Sequence, residues 1–234
     1  DWSSDVCSSD LSQPAITPEL IAKAEKPLQD TYENVLKIAD DNEWKQSKVE
    51  DDVTYFTRSV QGSSFTMIKS TTIVPYPVDK IVEFLNPLKE LNPEMSAEER
   101  DGAIERSVYP LEGENPHGNA FVYLALESGS RFVSPRDFVM ARKYFEKDGK
   151  HYFIIVSIDD DTIRPITKKF VRGKILCNAT IIEKDPADEN KTKLSFVAHA
   201  DPCGSIPAMI YNTVALKQGA CVKKIREEAI AQFK

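Results

Sequence analysis

Residues able to do chemistry are few in this 234-residue chain, and they are scattered. The three histidines, His117, His151 and His199, stand too far apart for the helical ligand spacing of an HExxH metal motif. Each is expected at the surface or at a strand end. Asp159, Asp160 and Asp161 form a carboxylate run, but it lacks the alternating spacing and closing glutamate of a calcium loop, so a solvated loop is expected. There is no GxSxG nucleophile elbow, no GxxxxGK[ST] and no GxGxxG phosphate cradle. The expectation is therefore no metal, no cofactor and no catalytic constellation. An enzymatic reading can name only His199 and Tyr123.

One charged residue stands out by its neighbours. Over the strand expected at 137–146, side chains alternate between faces. Phe138, Met140, Arg142 and Tyr144 then share one face. An arginine in such company is buried or snorkels to water. A buried guanidinium needs a partner, because an unpaired buried charge is costly. The partner is either a ligand phosphate or carboxylate, which suits bidentate arginine geometry, or a protein carboxylate or main-chain group.

The elements that would position these residues follow from periodicity. Thr17 is a suitable N-cap and Pro18 a suitable first helical residue. Ile21, Ala24, Leu28, Tyr32, Val35 and Ala39 then recur at helical spacing, with Pro27 expected to kink or interrupt the helix. Residues 52–58 and 65–74 read as a hairpin around Gly62 and Ser63. Helical spacing returns at 77–85, and a short helix is expected near 96–100. Strands are expected at 103–111, 119–126, 137–146, 151–158, 171–183 and 192–200, joined by short turns into an antiparallel meander. A final helix is expected from Ser205 to about Phe233, with Ile206, Ile210, Val214, Cys221, Ile225 and Ala229 as its apolar stripe. This order is α+β, one antiparallel sheet with helices packed against it.

Bulk properties narrow the classes. The chain is 41% hydrophobic and 29% charged, ordinary for a globular domain. A net charge of −7 argues against a nucleic-acid binder. No apolar run reaches 18 residues, so no membrane-spanning helix is expected. Cys177, Cys203 and Cys221, widely spaced and with no CxxC, suggest reduced thiols and a cytoplasmic address. Residues 1–11, DWSSDVCSSDL, carry no periodicity and resemble a translated sequencing adapter. They are expected to be disordered and outside a single domain at 12–234.

Two segments resemble the StAR-related lipid-transfer (START) family. One is VSPRDFVMARKYF at 133–145. The other runs from VRGKILCNATIIEK at 171–184 to KTKLSFVAHADPCGSIPAMIYN at 191–212, where Asp201, Pro202, Gly204, Ile206 and Pro207 form a turn before the last helix. The resemblance implies a helix-grip START-like fold, a curved antiparallel sheet closed by a long C-terminal helix around a hydrophobic cavity. It implies a lipid ligand, transient contact with a membrane surface, and a monomer. Expected ligand-binding residues are Arg142, Phe138, Met140 and Tyr144, with Phe121 and Tyr123 from the preceding strand and Met209, Ile210 and Thr213 from the roof helix. Phe132 and Val133, apolar residues in the polar loop 128–135, are the expected membrane-contact residues. Arg136 and Asp137 are expected to tie their loop to the sheet. The leading expectation is a non-enzymatic carrier or sensor of one phospholipid, sterol or related lipid. The alternatives are an enzyme of the wider helix-grip superfamily and a ligand-controlled regulatory module.

Overall fold

The computed structural model describes residues 14–86, 88, 90, 91, 94, 95, 100, 102–113, 115–128 and 133–234, the Val214 side chain excepted. Residues 1–11, most of the expected 96–100 helix and Phe132 lie outside the described residues.

Helix α1 spans Pro18–Ile38, and the Leu20 N–H donates to the Thr17 hydroxyl at 3.2 Å. The expected interruption at Pro27 does not occur. Leu28, Tyr32, Val35 and Ile38 are all buried beyond it. Each contributes about 1.5–3 kcal/mol, which together outweighs a proline penalty of about 3 kcal/mol.

The strands are β1 Lys45–Glu50, β2 Val53–Arg58, β3 Met67–Val74, β4 Ala103–Pro110, β5 Ala120–Leu126, β6 Arg136–Lys147, β7 Lys150–Ser157, β8 Val171–Arg172, β9 Lys174–Asp185 and β10 Asp188–Asp201, with α2 at Val78–Phe84. They form one sheet in the order β1-β2-β3-β10-β9-β7-β6-β5-β4, antiparallel throughout that path; β8 joins β6 in parallel. Strand β1 was not expected. It is exposed along its whole length and so shows no alternation.

The expected strand 171–183 is divided at Gly173. The Gly173 N–H donates to the Asp137 carbonyl at 2.9 Å. A Cβ there would stand 2.4 Å from the Phe138 ring, so only glycine fits this crossing. Further along, β9 carries a bulge opposite His199 and Ala200. The extra residue, Leu176, lets Ile175 and Cys177 face opposite sides.

The final helix is two helices, α3 at Ala208–Gln218 and α4 at Cys221–Phe233. It begins later than Ser205 because Asp201–Pro207 form a turn, with Cys203 and Gly204 both at positive φ. At the break, a Gly219 Cβ would lie 3.1 Å from Ser70 and from the Tyr55 ring. Gly219 thus brings the helix backbone down onto the sheet. In α3 the inward stripe is rotated from the expected one, with Tyr211 and Ala215 buried and Ile210 56% exposed. In α4 the expected stripe holds, with Ala229 buried and Cys221 and Ile225 packed against the same cluster, as is Ile206 before α3.

Two layers cover the sheet. On the outer face α1 packs over Phe121, Tyr123, Val139, Ala141, Tyr152, Ile154, Cys177, Ala179, Ile181 and Val197. On the inner face α2, α3 and α4 pack over Tyr55, Ile68, Phe153, Ile182, Leu194, Phe196 and Ala198. The two segments carrying the family resemblance meet at one end of the sheet, where β6 begins and β10 ends. Arg136 is buried and donates from Nε to the Pro202 carbonyl and from Nη2 to the Cys203 carbonyl, both at 3.1 Å, and also to the Ser134 carbonyl. Asp137 accepts a fork of two 3.0 Å bonds from Arg172. As expected of them, both residues tie loops to the sheet. Arg136 does so through carbonyls rather than a salt bridge.

Candidate functional site

Register across the sheet assembles the inner face. Lys147 and Lys150 pair across the turn Asp148–Gly149, both at positive φ. That turn sets Phe153 opposite Tyr144, and Ile155 opposite Arg142. Asn178 then lies beside Ile155, and Thr180 beside Phe153. On the other side Val122 pairs with Met140, and Leu124 with Phe138. Phe138, Met140, Ala120 and Val122 are buried together, with Leu88, Leu124, Leu126, Ile155 and Ile175 packed against them.

The structure therefore brings together Phe138, Met140, Arg142 and Tyr144, as alternation requires. Phe121 and Tyr123 are corrections. They pair with Ala141 and Val139, which point to the outer face, and they pack beneath α1. Tyr123 there lies under the Arg164 guanidinium at 4.3 Å, and burial beside Asp137 pushes its hydroxyl pKa well up. Met209, Ile210 and Thr213 are also corrections. Met209 is 79% exposed, Ile210 and Thr213 are exposed, and the Thr213 hydroxyl turns back to the Met209 carbonyl at 2.9 Å. Tyr211 and Ala215 face inward in their place. Val133 is partly buried, and its carbonyl accepts from the Ser128 hydroxyl at 2.5 Å. The residues missed from sequence are Phe153, Ile155, Asn178, Thr180, Ile175, Val122 and Leu124. The Asp-Gly turn at 148–149 was the signal for the first two.

Arg142 is 2% exposed. Its Nη1 donates to the carbonyls of His117 at 2.8 Å and Gly118 at 2.5 Å, and its Nη2 to the Leu85 carbonyl at 3.2 Å. The guanidinium lies 4.2 Å from the Phe153 ring centroid. Its partners are thus main-chain groups, and no carboxylate pairs with it among the described residues. Burial pulls its pKa down to about 10. Beside it, Tyr144 stacks on His117 at 3.7 Å and bonds His151 Nδ1 at 2.6 Å. Burial and Glu146 raise the Tyr144 hydroxyl to about 12.

His199 is buried rather than at the surface, and its Nε2 meets the Ser63 hydroxyl at 3.1 Å. Burial lowers its pKa below 6.5. The unfolded chain then binds this proton more readily, so stability should fall as pH drops below about 6.5. His199→Gln should flatten that dependence between pH 7.5 and 5.5, measured by urea denaturation. An unchanged slope would assign the acid sensitivity elsewhere. His199 and Tyr123, the two groups an enzymatic reading could name, are not brought together. Strands β9, β7 and β6 lie between theirs, roughly 19 Å at sheet spacing.

Among the described residues, no group of three His, Cys, Asp or Glu side chains gathers closely enough to hold a metal. Asp160 and Asp161 are instead tied to Lys23 and Arg172. No helix among the described residues is long and apolar enough to cross a membrane.

Solved structures with this architecture include human StAR-related lipid transfer protein 5, with a TM-score of 0.73 and 17% identity over 91% of this chain and 98% of that one. Another is a STAR-related lipid transfer protein from Xanthomonas axonopodis, with a TM-score of 0.63 and 18% identity over 80% of this chain and 99% of that one. At these identities the likeness is one of fold. No curated protein sequence matches the chain. The START domain family model matches residues 28–227, and with the sheet order and the paired 133–145 and 201–207 segments in contact, the chain belongs to the START domain family.

Proposed function

We propose that this chain binds one lipid between the inner face of the sheet and helices α2, α3 and α4, and carries it between membranes without altering it. The observation that carries the reading is the make-up of that face. Phe138, Met140, Ile155, Ile175 and Val122 form an apolar tract. Asn178 and Thr180 sit on the same face, partly buried, and no hydrogen bond to either side chain is present among the described residues. Partly buried amide and hydroxyl groups without partners suit the polar end of a lipid, since they gain the bonds they lack. Arg142 frames this site by holding the ends of two loops. The names of the structural relatives, lipid transfer proteins, agree with the reading.

Release and uptake need a point of membrane contact. Met209 and Ile210 on the first turn of α3 are exposed side by side, as an apolar tip that enters a lipid surface would be. Val133 and Phe132 are retained as a second contact from the loop at 128–135.

Native mass spectrometry of the purified protein should find one intact lipid per chain. Vesicle-to-vesicle transfer of a fluorescent phospholipid or sterol should leave the lipid chemically unchanged. Met209→Asp with Ile210→Asp should slow transfer about tenfold while equilibrium loading stays near wild type, because a charge resists insertion. Transfer at the wild-type rate by this variant would remove α3 from the membrane contact. A chemically altered lipid would favour the enzymatic alternative.

A further inference from the structure

The outer face holds a cavity that the inner-face site does not use. It measures about 210 Å³ and lies where the end of α1 meets the sheet. Its floor is one row across five strands, Thr54, Thr71, Ser195, Ile181 and Tyr152, each paired to the next. Lys69 and Phe56, paired across β2 and β3, form one wall. Lys193, Glu183 and Lys150 form the other, with Ala39 and Asp40 at the end of α1.

The charges in this groove are unequal in their partners. Lys150 and Lys193 both bond Glu183, at 2.7 and 2.8 Å, and lie 3.3 and 4.0 Å from Asp40. Lys69 has no carboxylate at ion-pair distance among the described residues. It donates to the Ala39 carbonyl at 2.7 Å and lies 4.9 and 4.8 Å from the Trp44 and Phe56 ring centroids. Three lysines therefore face two carboxylates, and the unmatched charge is half-buried. Burial lowers the pKa of Lys69 against the opposing pull of Asp40 and Asp41.

The floor offers hydroxyl protons as well. The Thr71 and Ser195 hydroxyls lie 2.9 Å apart. Only one of them donates in that bond, which leaves the other proton free for a third group. Thr54 adds a third hydroxyl beside them. At the opposite end the floor turns apolar, at Ile181 and Tyr152. The floor thus runs from hydroxyls beside Lys69 to the side chains of Ile181 and Tyr152, with the Lys150, Glu183 and Lys193 ion pairs along its rim. The groove's single excess positive charge suits a monoanion better than a dianion, which Glu183 and Asp40 would repel.

We propose that this outer groove is a binding site for a small monocarboxylate with an apolar body, an aryl or short-chain alkyl acid. Its carboxylate meets Lys69 and the Thr54, Thr71 and Ser195 hydroxyls, and its body lies over Ile181 and Tyr152. The volume exceeds the roughly 150 Å³ of a cavity that binds benzene, enough for such an acid and too little for a two-chain lipid. The site is separate from the inner face, because the sheet itself lies between them, and it does not depend on the lipid reading.

The test is calorimetric titration of the whole chain with benzoate and with hexanoate, using benzyl alcohol and inorganic phosphate as controls. Saturable one-to-one binding of either acid is expected, weakened by salt. Lys69→Gln should cost tenfold or more in affinity through loss of a charge-assisted bond. Because Lys69 also holds the end of α1, Thr54→Val serves as a second variant and should weaken binding severalfold. Lys23→Gln, on the far part of α1, should bind as wild type. Absence of saturable binding, equal binding of benzyl alcohol, binding of phosphate alone, or wild-type affinity in both groove variants would each overturn the assignment.

Discussion

Arg136→Met should destabilise the domain by about 3–5 kcal/mol, the largest loss expected from any single change at the site's edge. Arg136 is 8% exposed, and its guanidinium donates to the carbonyls of Ser134, Pro202 and Cys203. Methionine keeps the volume and removes every donor. Each stranded carbonyl then costs about 1–3 kcal/mol. The loss should appear in a particular place, since Cys203 and Gly204 hold positive φ in the turn that these carbonyls belong to. The Asp201 carboxylate still accepts from the Cys203 N–H at 2.7 Å, which closes the turn on itself but does not dock it. Urea denaturation should show the stability change. Hydrogen exchange should show amides of 203–206 and of the first turn of α3 opening in Arg136→Met at conditions where α1 stays closed. Arg136→Lys should not rescue, because a single ammonium cannot span three carbonyls. Exchange unchanged across 201–210 would mean that the turn is held by something other than this arginine.

Arg142→Leu is expected to lower stability by about 2–4 kcal/mol, with lipid loading reduced only as far as the fold is weakened. The reason is the partner set. The guanidinium reaches the His117, Gly118 and Leu85 carbonyls and so ties the β4–β5 loop to the end of α2. Leucine leaves those carbonyls to find water or go unpaired, at about 1–3 kcal/mol for each that stays dry. Removing the buried charge returns part of this, since burial alone depresses the pKa to about 10. For a base with a lowered folded pKa, the unfolded state holds the proton more tightly. That burial cost is present at all pH values below about 10 and is relieved only as pH rises above it. Arg142 is therefore charged throughout the neutral range, and its role does not switch with physiological pH. Denaturation and lipid loading measured on the same variant separate the outcomes. A stable Arg142→Leu protein that has lost lipid would return the guanidinium to the ligand.

Several features were open to sequence reasoning because they are local. The Thr17 cap, the 3.6-residue spacing of Ala24, Leu28, Tyr32 and Val35, and the period-two alternation of β6 depend on residues near one another in the chain. Alternation alone put Phe138, Met140, Arg142 and Tyr144 on one face, and the Asp-Gly turn at 148–149 extends that face to Phe153 and Ile155 by a fixed register. The resemblance of 133–145 and 171–212 to the START family pointed to the architecture that the sheet order has.

Tertiary structure decided what depends on register across long connections and on helix rotation. Strands β5 and β6 are separated in sequence by residues 127–135, a length that does not set the pairing. A shift of one residue exchanges the faces of a strand. Choosing the aromatic members Phe121 and Tyr123 over Val122 and Leu124 was therefore a choice of the wrong face. The same holds for α3, where a rotation of one residue separates exposed Ile210 from buried Tyr211. Packing of Tyr211 and Ala215 against the sheet fixes the face that α3 turns inward, and no periodicity within the helix records it. The partners of Arg142 lie 24, 25 and 57 residues away in sequence and are main-chain carbonyls. A main-chain carbonyl is present at every residue, so side-chain identity carries no trace of it, and only the folded chain could bring these three to the guanidinium.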